Sequence, residues 1–173
     1  MKPNEFAAKV IIDFIKTYPD LYDAMIKTDH FSISYGYYTP YHIGESVWTH
    51  TMMVMSHALN KFDACKYIKT EEYKEIILAV LLHDIGKPDT REVDYDRQKI
   101  TFYGHEQMST VRAVSILKDY VEKGWIDREQ MIRVLTLINQ HTLFYDLKVE
   151  DAFGKDAKSY RKLIRKIDPD IIR

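Results

Sequence analysis

One apolar segment limits the possible folds of this chain more than any other feature of its sequence. From about residue 71 to residue 82 apolar side chains occur on nearly every side of the helix that their spacing predicts. A helix that is apolar all round must be covered by other elements. The segment runs directly into His83-Asp84, and Gly86 and Pro88 then signal its end. The sequence therefore predicts a buried helix that places a histidine and a carboxylate at its C-terminal end.

Helical spacing of apolar residues recurs along the rest of the chain, which has only 6 glycines and 5 prolines in 173 residues. We therefore predict an all-α fold, a compact helical bundle in a single domain over residues 1–173, with one small β-hairpin at most. The stretch between Thr28 and Glu45 is predicted to be an ordered loop, and the hairpin would lie between Glu92 and Tyr103. The other predicted helices are one through Phe6, Val10 and Phe14, then Asp20–Lys27, Ser46–Phe62, His105–Lys123, Asp127–His141 and a basic helix at Asp156–Ile167.

Composition and charge narrow the classes of function. Hydrophobic residues make up 46% of the chain, which is enough to bury a core and argues against disorder. The formal net charge of -1 does not demand nucleic acid or an anionic membrane as a partner. The only cysteine, Cys65, cannot form a disulfide within the chain, which favours a reducing compartment. Since the sequence has neither a signal-peptide pattern nor an apolar run of about 18 residues, we expect a cytoplasmic protein without a membrane partner.

Four of the 7 histidines lie on or at the ends of predicted helices and make a joint candidate for a metal site. A transition-metal site needs several neutral imidazoles and a carboxylate, each held by a rigid element. Adjacent residues on a helix point about 100° apart, so His83 and Asp84 can bind together only where the helix ends or where two ions lie side by side. Each histidine alone would more often be a packed or solvated residue. The four histidines are His50, His83, His105 and His141.

The remaining histidines are weaker candidates. His30 and His42 lie in the tyrosine-rich predicted loop, and we interpret them as packed or solvated residues. His57 follows His50 by two helical turns, so it would share the same helix face, although a place near the site is the less common outcome.

The motifs around these residues resemble the HD superfamily of metal-dependent phosphohydrolases. The most specific is Leu-Leu-His83-Asp84-Ile-Gly-Lys87-Pro, whereas a lone His-Asp dipeptide would carry no information. The resemblance covers about residues 40–145 and is closest to two branches, the HD domains of bacterial tRNA nucleotidyltransferases and the HD phosphatase modules fused to polynucleotide kinases in RNA repair. The other similar motifs are Val-Trp-Thr-His50-Thr-Met, Gly-His105-Glu106 and Asn-Gln-His141.

The resemblance implies a site for one or two divalent metal ions. His50, His83, Asp84 and a later aspartate would form the basic site, while His105 and His141 resemble the extra ligands of members that hold two ions. Two ions about 3.5–4 Å apart can clamp a phosphoester and activate water, and we expect Asp84 to bridge them. The imidazole-rich set suits Mn, Fe, Co, Ni or Zn better than Mg. The last aspartate departs from the family pattern; the candidates are Asp146, Asp168 and Asp170, or none.

Three charged residues near the predicted ligands are candidates for further roles. Lys87 lies one turn after Asp84 and would act as a catalytic and substrate-binding residue that holds a phosphate oxygen, or it is an ordinary solvated lysine. Arg91 is a weaker candidate for phosphate binding. Glu106 could orient His105 or donate a proton, although a role outside the metal shell or at the surface is the commoner one.

The resemblance implies a hydrolase for phosphoester bonds, with three functions left open. The first is a phosphodiesterase or phosphatase that acts on RNA 2′,3′-cyclic or 2′-phosphate ends or on nucleotides. The second is a nucleoside monophosphate nucleotidase, and the third is a non-catalytic HD scaffold or RNA-binding module. The expected partner is a phosphorylated small molecule or an RNA end. The oligomeric state and a fused nucleic-acid-processing domain beyond Arg173 also stay open.

One feature of the predicted C-terminal helix bears on the choice among these functions. Its basic residues recur at helical spacing and would form one face that could follow an RNA backbone, although such faces are more often simply solvated. The basic residues are Lys158, Arg161, Lys162, Arg165 and Lys166.

The Gly-Tyr-Pro signature of cyclic-dinucleotide phosphodiesterases is absent from this sequence downstream of His83-Asp84.

Overall fold

The computed structural model describes residues 1–32, 37–38, 44–64 and 72–144 of the chain. Most of these residues are helical, which confirms the predicted all-α class. None of the helices in this described part has the length and hydropathy of a membrane-spanning segment. The helices are α1 (Pro3–Thr17), α2 (Pro19–Lys27), α3 (Val47–Ala64), α4 (Glu72–Leu82), α5 (Lys87–Thr90), α6 (His105–Glu122) and α7 (Arg128–Gln140), and a 3-10 helix spans His141–Phe144.

The chain divides into two compact units, Met1–Asn139 and Gln140–Arg173. In the second unit the described residues comprise Gln140 and the 3-10 helix His141–Phe144. The predicted basic helix and its cationic face lie outside the described residues, as do Cys65, His42 and the three candidate aspartates Asp146, Asp168 and Asp170.

Two short antiparallel strand pairs accompany the helices of the first unit. The predicted hairpin is present, with β3 (Glu92–Asp94) paired to β4 (Lys99–Thr101). A second pair, β1 (Phe31–Ser32) with β2 (Tyr37–Tyr38), lies where the sequence predicted only an ordered loop. Two residues per strand are too few to show the period-2 alternation by which a strand is recognised.

The buried core is centred on α4, as the sequence predicted. This helix packs against α1 and α3, and four of its apolar side chains are fully buried, at 0% exposure. At about 25 cal/mol per Å² of buried apolar surface, such side chains supply much of the driving force for folding. The four are Ile77, Leu78, Leu81 and Leu82.

Polar contacts hold α7 beside this core. Asp127 and Gln130 have the spacing of a capping box in the sequence, and the box is present: the backbone N–H of Gln130 donates to Asp127 Oδ1 at 2.7 Å, and the backbone N–H of Asp127 donates to Gln130 Oε1 at 3.0 Å. Farther along α7 the guanidinium of Arg133 donates to both carboxylate oxygens of Glu75 in α4, at 2.9 and 3.0 Å. The pair satisfies a carboxylate that is mostly buried in the helix at the centre of the fold.

The short helix α5 was not predicted from the sequence. Gly86 and Pro88 mark the end of α4, but Pro88 lies in the first turn of α5. In a first turn the missing N–H of proline has no partner to lose, and its fixed φ suits a helix. The same two residues therefore end one helix and begin the next, and α5 carries Lys87 into the interior.

Candidate metal centre

Three elements of the first unit bring four predicted site residues together. His50 lies in the first turn of α3, His83 and Asp84 follow the last residue of α4, and His105 is the first residue of α6. Asp84 is fully buried at the centre of this group. Adjacent residues within a helix point about 100° apart. Because α4 ends at Leu82 and a turn begins there, His83 and Asp84 can both face the same site.

The two carboxylate oxygens of Asp84 face different imidazoles. Oδ2 lies 3.1 Å from Nε2 of His83 and 3.9 Å from Nε2 of His50. Oδ1 lies 3.4 Å from Nε2 of His105. One ligand atom from each of His50, His83 and Asp84 can be chosen so that all three lie within 4.8 Å of one another, which makes this trio a group that could hold a metal ion.

Backbone carbonyls fix which nitrogen of two of these rings faces Asp84. The Nδ1–H of His83 donates to the carbonyl of Val80 at 2.8 Å, and the Nδ1–H of His105 donates to the carbonyl of Phe102 at 2.8 Å. A carbonyl can only accept, so Nδ1 carries the proton and Nε2 points towards the carboxylate. This arrangement is typical of metal-binding histidines.

A divalent cation fits this donor set. A neutral His105 with its proton on Nδ1 directs the lone pair of Nε2 at the Asp84 carboxylate, and His83 would do the same after releasing a proton from Nε2 to an incoming metal. A cation held there would be coordinated by nitrogen and oxygen, a mixture that suits first-row transition metals.

The electrostatics of the site keep the carboxylate ionised. Burial by itself would raise the pKa of Asp84, but the charges of His83 and Lys87 and their hydrogen bonds lower it well below its usual range. Burial by itself would lower the pKa of His83, but attraction to Asp84 and hydrogen bonds outweigh it, and the net shift is upward. For His105 burial prevails over Asp84, and the pKa is lowered. An ionised carboxylate and a neutral His105 are the forms that bind metals.

Glu45 belongs to this site, although the sequence reasoning gave it no role. Its Oε1 lies 3.2 Å from Nδ1 of His50, so the ring can present Nε2 towards Asp84. A carboxylate behind a histidine is the common way to orient a metal ligand and raise its basicity. The available signal was an acidic residue just before the helix that carries His50.

Lys87 and His30 extend the cluster on the side of Asp84 Oδ2. The Lys87 side chain is almost fully buried, with Nζ 2.9 Å from Asp84 Oδ2 and 3.1 Å from Nε2 of His30. His30 is itself fully buried, and its Nδ1–H donates to the carbonyl of Glu45 at 2.9 Å. His30 is thus packed, as interpreted from the sequence, but its packing partner is the lysine of the His-Asp motif.

Other candidate residues have different surroundings. Arg91 donates from Nη2 to Asp29 Oδ1 at 3.0 Å and from Nε to the Asp29 carbonyl at 3.3 Å, so its role in phosphate binding stays a prediction. Glu106 Oε2 lies 3.4 Å from Nδ1 of His105. His57 is exposed on α3. His141 begins the 3-10 helix in the second unit, and its role as a ligand stays a prediction from the sequence.

Gly86 allows α6 to approach the His-Asp turn. A Cβ at this position would lie 2.5 Å from the backbone N of Ser109 and 2.7 Å from the backbone O of His105. The backbone N–H of Gly86 instead donates to Ser109 Oγ at 2.9 Å. The glycine of the motif is therefore required because it lets His105 lie close to Asp84.

A buried carboxylate ringed by imidazoles inside a helical domain is a group that could hold a divalent metal ion. The sequence matches the HD domain family over residues 47–169, which is more than half of the chain, and the chain therefore belongs to this family. Comparisons with curated proteins and with solved structures gave no match. Family membership confirms the resemblance seen in the motifs and implies a metal-dependent phosphohydrolase that binds a divalent metal. The closeness to the two RNA-related branches stays a prediction.

We expect Gly86→Ala to weaken metal binding and to lower the free energy of unfolding by about 1–3 kcal/mol, because the added methyl forces α6 away from the His-Asp turn. Gly124→Ala is the control, because Gly124 has a φ of +67° and nothing within 4 Å of an added Cβ. That variant loses about 1–2 kcal/mol from backbone strain alone and keeps its metal affinity. Urea unfolding and calorimetric titration with Mn²⁺ measure both quantities; equal metal affinity in the two variants would contradict the packing explanation.

We expect Glu45→Gln to reduce metal affinity by about 10–100-fold, the usual effect of removing the partner that orients a ligand histidine. The amide keeps the size of the side chain but cannot supply the charge that strengthens His50 as a donor. Glu129→Gln, at a side chain that is 86% exposed, is the matched control and should bind metal like the unmodified chain. Competition with a metal-chelating dye gives the metal affinities. An unchanged affinity for Glu45→Gln would show that Glu45 does not contribute to metal binding.

Proposed function

We propose that this HD domain hydrolyses phosphoester bonds, acting as a phosphodiesterase or phosphatase on RNA 2′,3′-cyclic or 2′-phosphate ends or on nucleotides. The observation that carries the proposal is the convergence of three Nε2 atoms on one buried carboxylate, within 3.1–3.9 Å of its oxygens. A purely structural core has no use for so many electron-rich donors around one acid, because burying them costs free energy that apolar residues would not cost.

The two carboxylate oxygens of Asp84 face different histidines, which supports binding of a pair of metal ions. His50 and His83 accompany Oδ2 and His105 accompanies Oδ1, so one carboxylate could bridge two ions. His141 remains the sequence-based candidate for a further ligand. When bound, divalent ions supply Lewis-acid stabilisation of the phosphoryl oxygens and a water nucleophile. The imidazole-rich donors favour Mn, Fe, Co, Ni or Zn over Mg.

Lys87 has a distinct task in the proposed reaction. Its ammonium lies 2.9 Å from Asp84 Oδ2, where it helps to hold the carboxylate in one orientation. A lysine has three N–H donors, so the same ammonium can also donate to a phosphate oxygen at the edge of the site. Its positive charge would then oppose the negative charge that accumulates on the phosphoryl group.

The substrate class rests on the sequence. Similarity of the motifs around His50 and His105 to nucleic-acid-processing HD domains supports RNA ends. The basic residues near the C-terminus would supply contacts to an RNA backbone. A nucleoside monophosphate nucleotidase would use the same metal centre without those contacts, and a non-catalytic module would keep the RNA contacts without turnover.

We expect the purified protein to contain close to two transition-metal ions per chain and to hydrolyse bis-p-nitrophenyl phosphate in the presence of Mn²⁺. His83→Ala and Asp84→Asn should reduce turnover by more than the roughly 10–100-fold typical of residues outside the metal shell. His57→Ala is the control, since His57 is exposed on the same helix as His50. Elemental analysis and a chromogenic assay measure these outcomes. A folded, metal-loaded chain without turnover on any phosphoester would leave a non-catalytic module.

We expect the double charge reversal Arg161→Glu/Arg165→Glu to separate the proposed substrates. Hydrolysis of an oligonucleotide with a 2′,3′-cyclic phosphate end should fall and lose part of its salt dependence, because phosphate contacts release counterions. Hydrolysis of 2′,3′-cyclic AMP and of 5′-AMP should not change, since neither has a neighbouring phosphate to contact. If 5′-AMP is the best substrate and the oligonucleotide does not respond to the double variant, the nucleotidase is the correct function.

A further inference from the structure

Lys87 is a buried cation in an arrangement that its partners hold from several sides. Only 3% of the residue is exposed, and Nζ lies 5.3 Å from the centre of the Phe102 ring. A buried ammonium is costly unless hydrogen bonds and opposite charge compensate it. The charge of Asp84 supplies one compensation, at 2.9 Å. The second directed contact comes from Nε2 of His30, at 3.1 Å.

The chemistry of the contact assigns one tautomer to His30. An ammonium can only donate, so Nε2 of His30 must accept from Lys87 Nζ and cannot carry a proton. The other nitrogen, Nδ1, donates its proton to the carbonyl of Glu45 at 2.9 Å. His30 therefore presents a fixed acceptor to Lys87, with its ring held from behind by the backbone.

Several contacts hold His30 itself in place. Its backbone N–H donates to the carbonyl of Glu45 at 3.1 Å, and the backbone N–H of Val47 donates to the carbonyl of Thr28 at 2.8 Å. Arg91 anchors the neighbouring Asp29 through its side chain and backbone carbonyl. Glu45 thus orients His50 through its carboxylate and His30 through its carbonyl. The segment before β1 is thereby tied to the start of α3 and to the end of α5.

We propose that His30 is a positioning residue, which holds the ammonium of Lys87 between Asp84 Oδ2 and Nε2 of His30 so that this charge stays at the edge of the metal centre. The proposal rests on the proposed function, in which Lys87 binds a phosphate oxygen. Without the His30 acceptor the flexible lysine side chain gains other rotamers, and its charge leaves the site. His30 binds neither metal nor substrate; it acts on phosphate binding through Lys87.

Two substitutions at position 30 separate the acceptor from the bulk of the ring. In His30→Gln the amide oxygen reaches about as far as Nε2 and can accept from Lys87, whereas the shorter His30→Asn keeps only a group near Nδ1. His57→Asn, at an exposed histidine, is the matched control. Thermal unfolding of each variant establishes that it is folded before it is compared.

The first readout is the reactivity of Lys87 towards acetic anhydride, measured by peptide mass spectrometry on the folded chain. We expect Lys87 to react at least about tenfold more slowly than the exposed Lys118 in the unmodified protein, as expected for an amine held by charge-assisted hydrogen bonds. His30→Asn should lose about tenfold of that protection, and His30→Gln should retain it. If Lys87 reacts like Lys118 in the unmodified protein, or if His30→Gln loses the protection while folded, the proposal is wrong. Both of these outcomes can be measured even if His30→Asn does not fold.

The second readout is equilibrium binding of inorganic phosphate to the Mn²⁺-loaded protein, followed by calorimetry. His30→Asn should weaken phosphate binding by about tenfold, which corresponds to one charge-assisted hydrogen bond. The double variant His30→Asn/Lys87→Met should bind phosphate no more weakly than Lys87→Met alone, because His30 acts through the lysine. Additive losses would show that His30 acts independently and would overturn the proposal.

These measurements do not depend on turnover. A chain that binds phosphate and protects Lys87 but hydrolyses no phosphoester would contradict the proposed function and still support the role of His30. A chain that hydrolyses phosphoesters while Lys87 reacts with acetic anhydride as fast as Lys118 would support the proposed function and contradict the role of His30.

Discussion

The buried carboxylate of Asp84 is the interaction on which the candidate site depends. A carboxylate without exposure to water would normally take up a proton, yet its neighbours keep its pKa well below the usual range. An isolated buried charge costs several kcal/mol, and only paired charges and hydrogen bonds reduce that cost. Lys87 and His83 therefore lie close to Asp84, because the ionised carboxylate needs opposite charge and hydrogen bonds. The same compensation leaves a set of donors suited to divalent metals.

Two close contacts of the backbone make this arrangement possible. Gly86 lets α6 approach the His-Asp turn, so that His105 and His83 can face the same carboxylate. The carbonyl of Glu45 accepts from the backbone N–H of His30, and the carboxylate of Glu45 orients His50. The candidate metal ligands thus come from elements far apart in sequence, each held by a partner outside the candidate ligand set.

Much of the fold could be predicted from the sequence, because helical periodicity is local. The apolar pattern of α4, the end signals at Gly86 and Pro88, and the capping box at Asp127 are read from residues within four positions of one another. The helix α5 and the strand pair β1–β2 were not predicted because four and two residues are too short for a period to show. Local sequence patterns also did not show which residues outside the candidate ligand set would contact those ligands.

The sequence by itself determined the helical class, the central buried helix and the set of histidines around one His-Asp pair, since residue identity and spacing carry that information. Only the tertiary structure decided which atoms meet. It placed His30 against Lys87 at 3.1 Å across 57 residues of sequence, and Glu45 against His50 at 3.2 Å. A lone histidine in a loop has no periodicity that marks its partner. Its contact exists only because packing brings the loop, α3 and α5 together around a carboxylate that must stay charged.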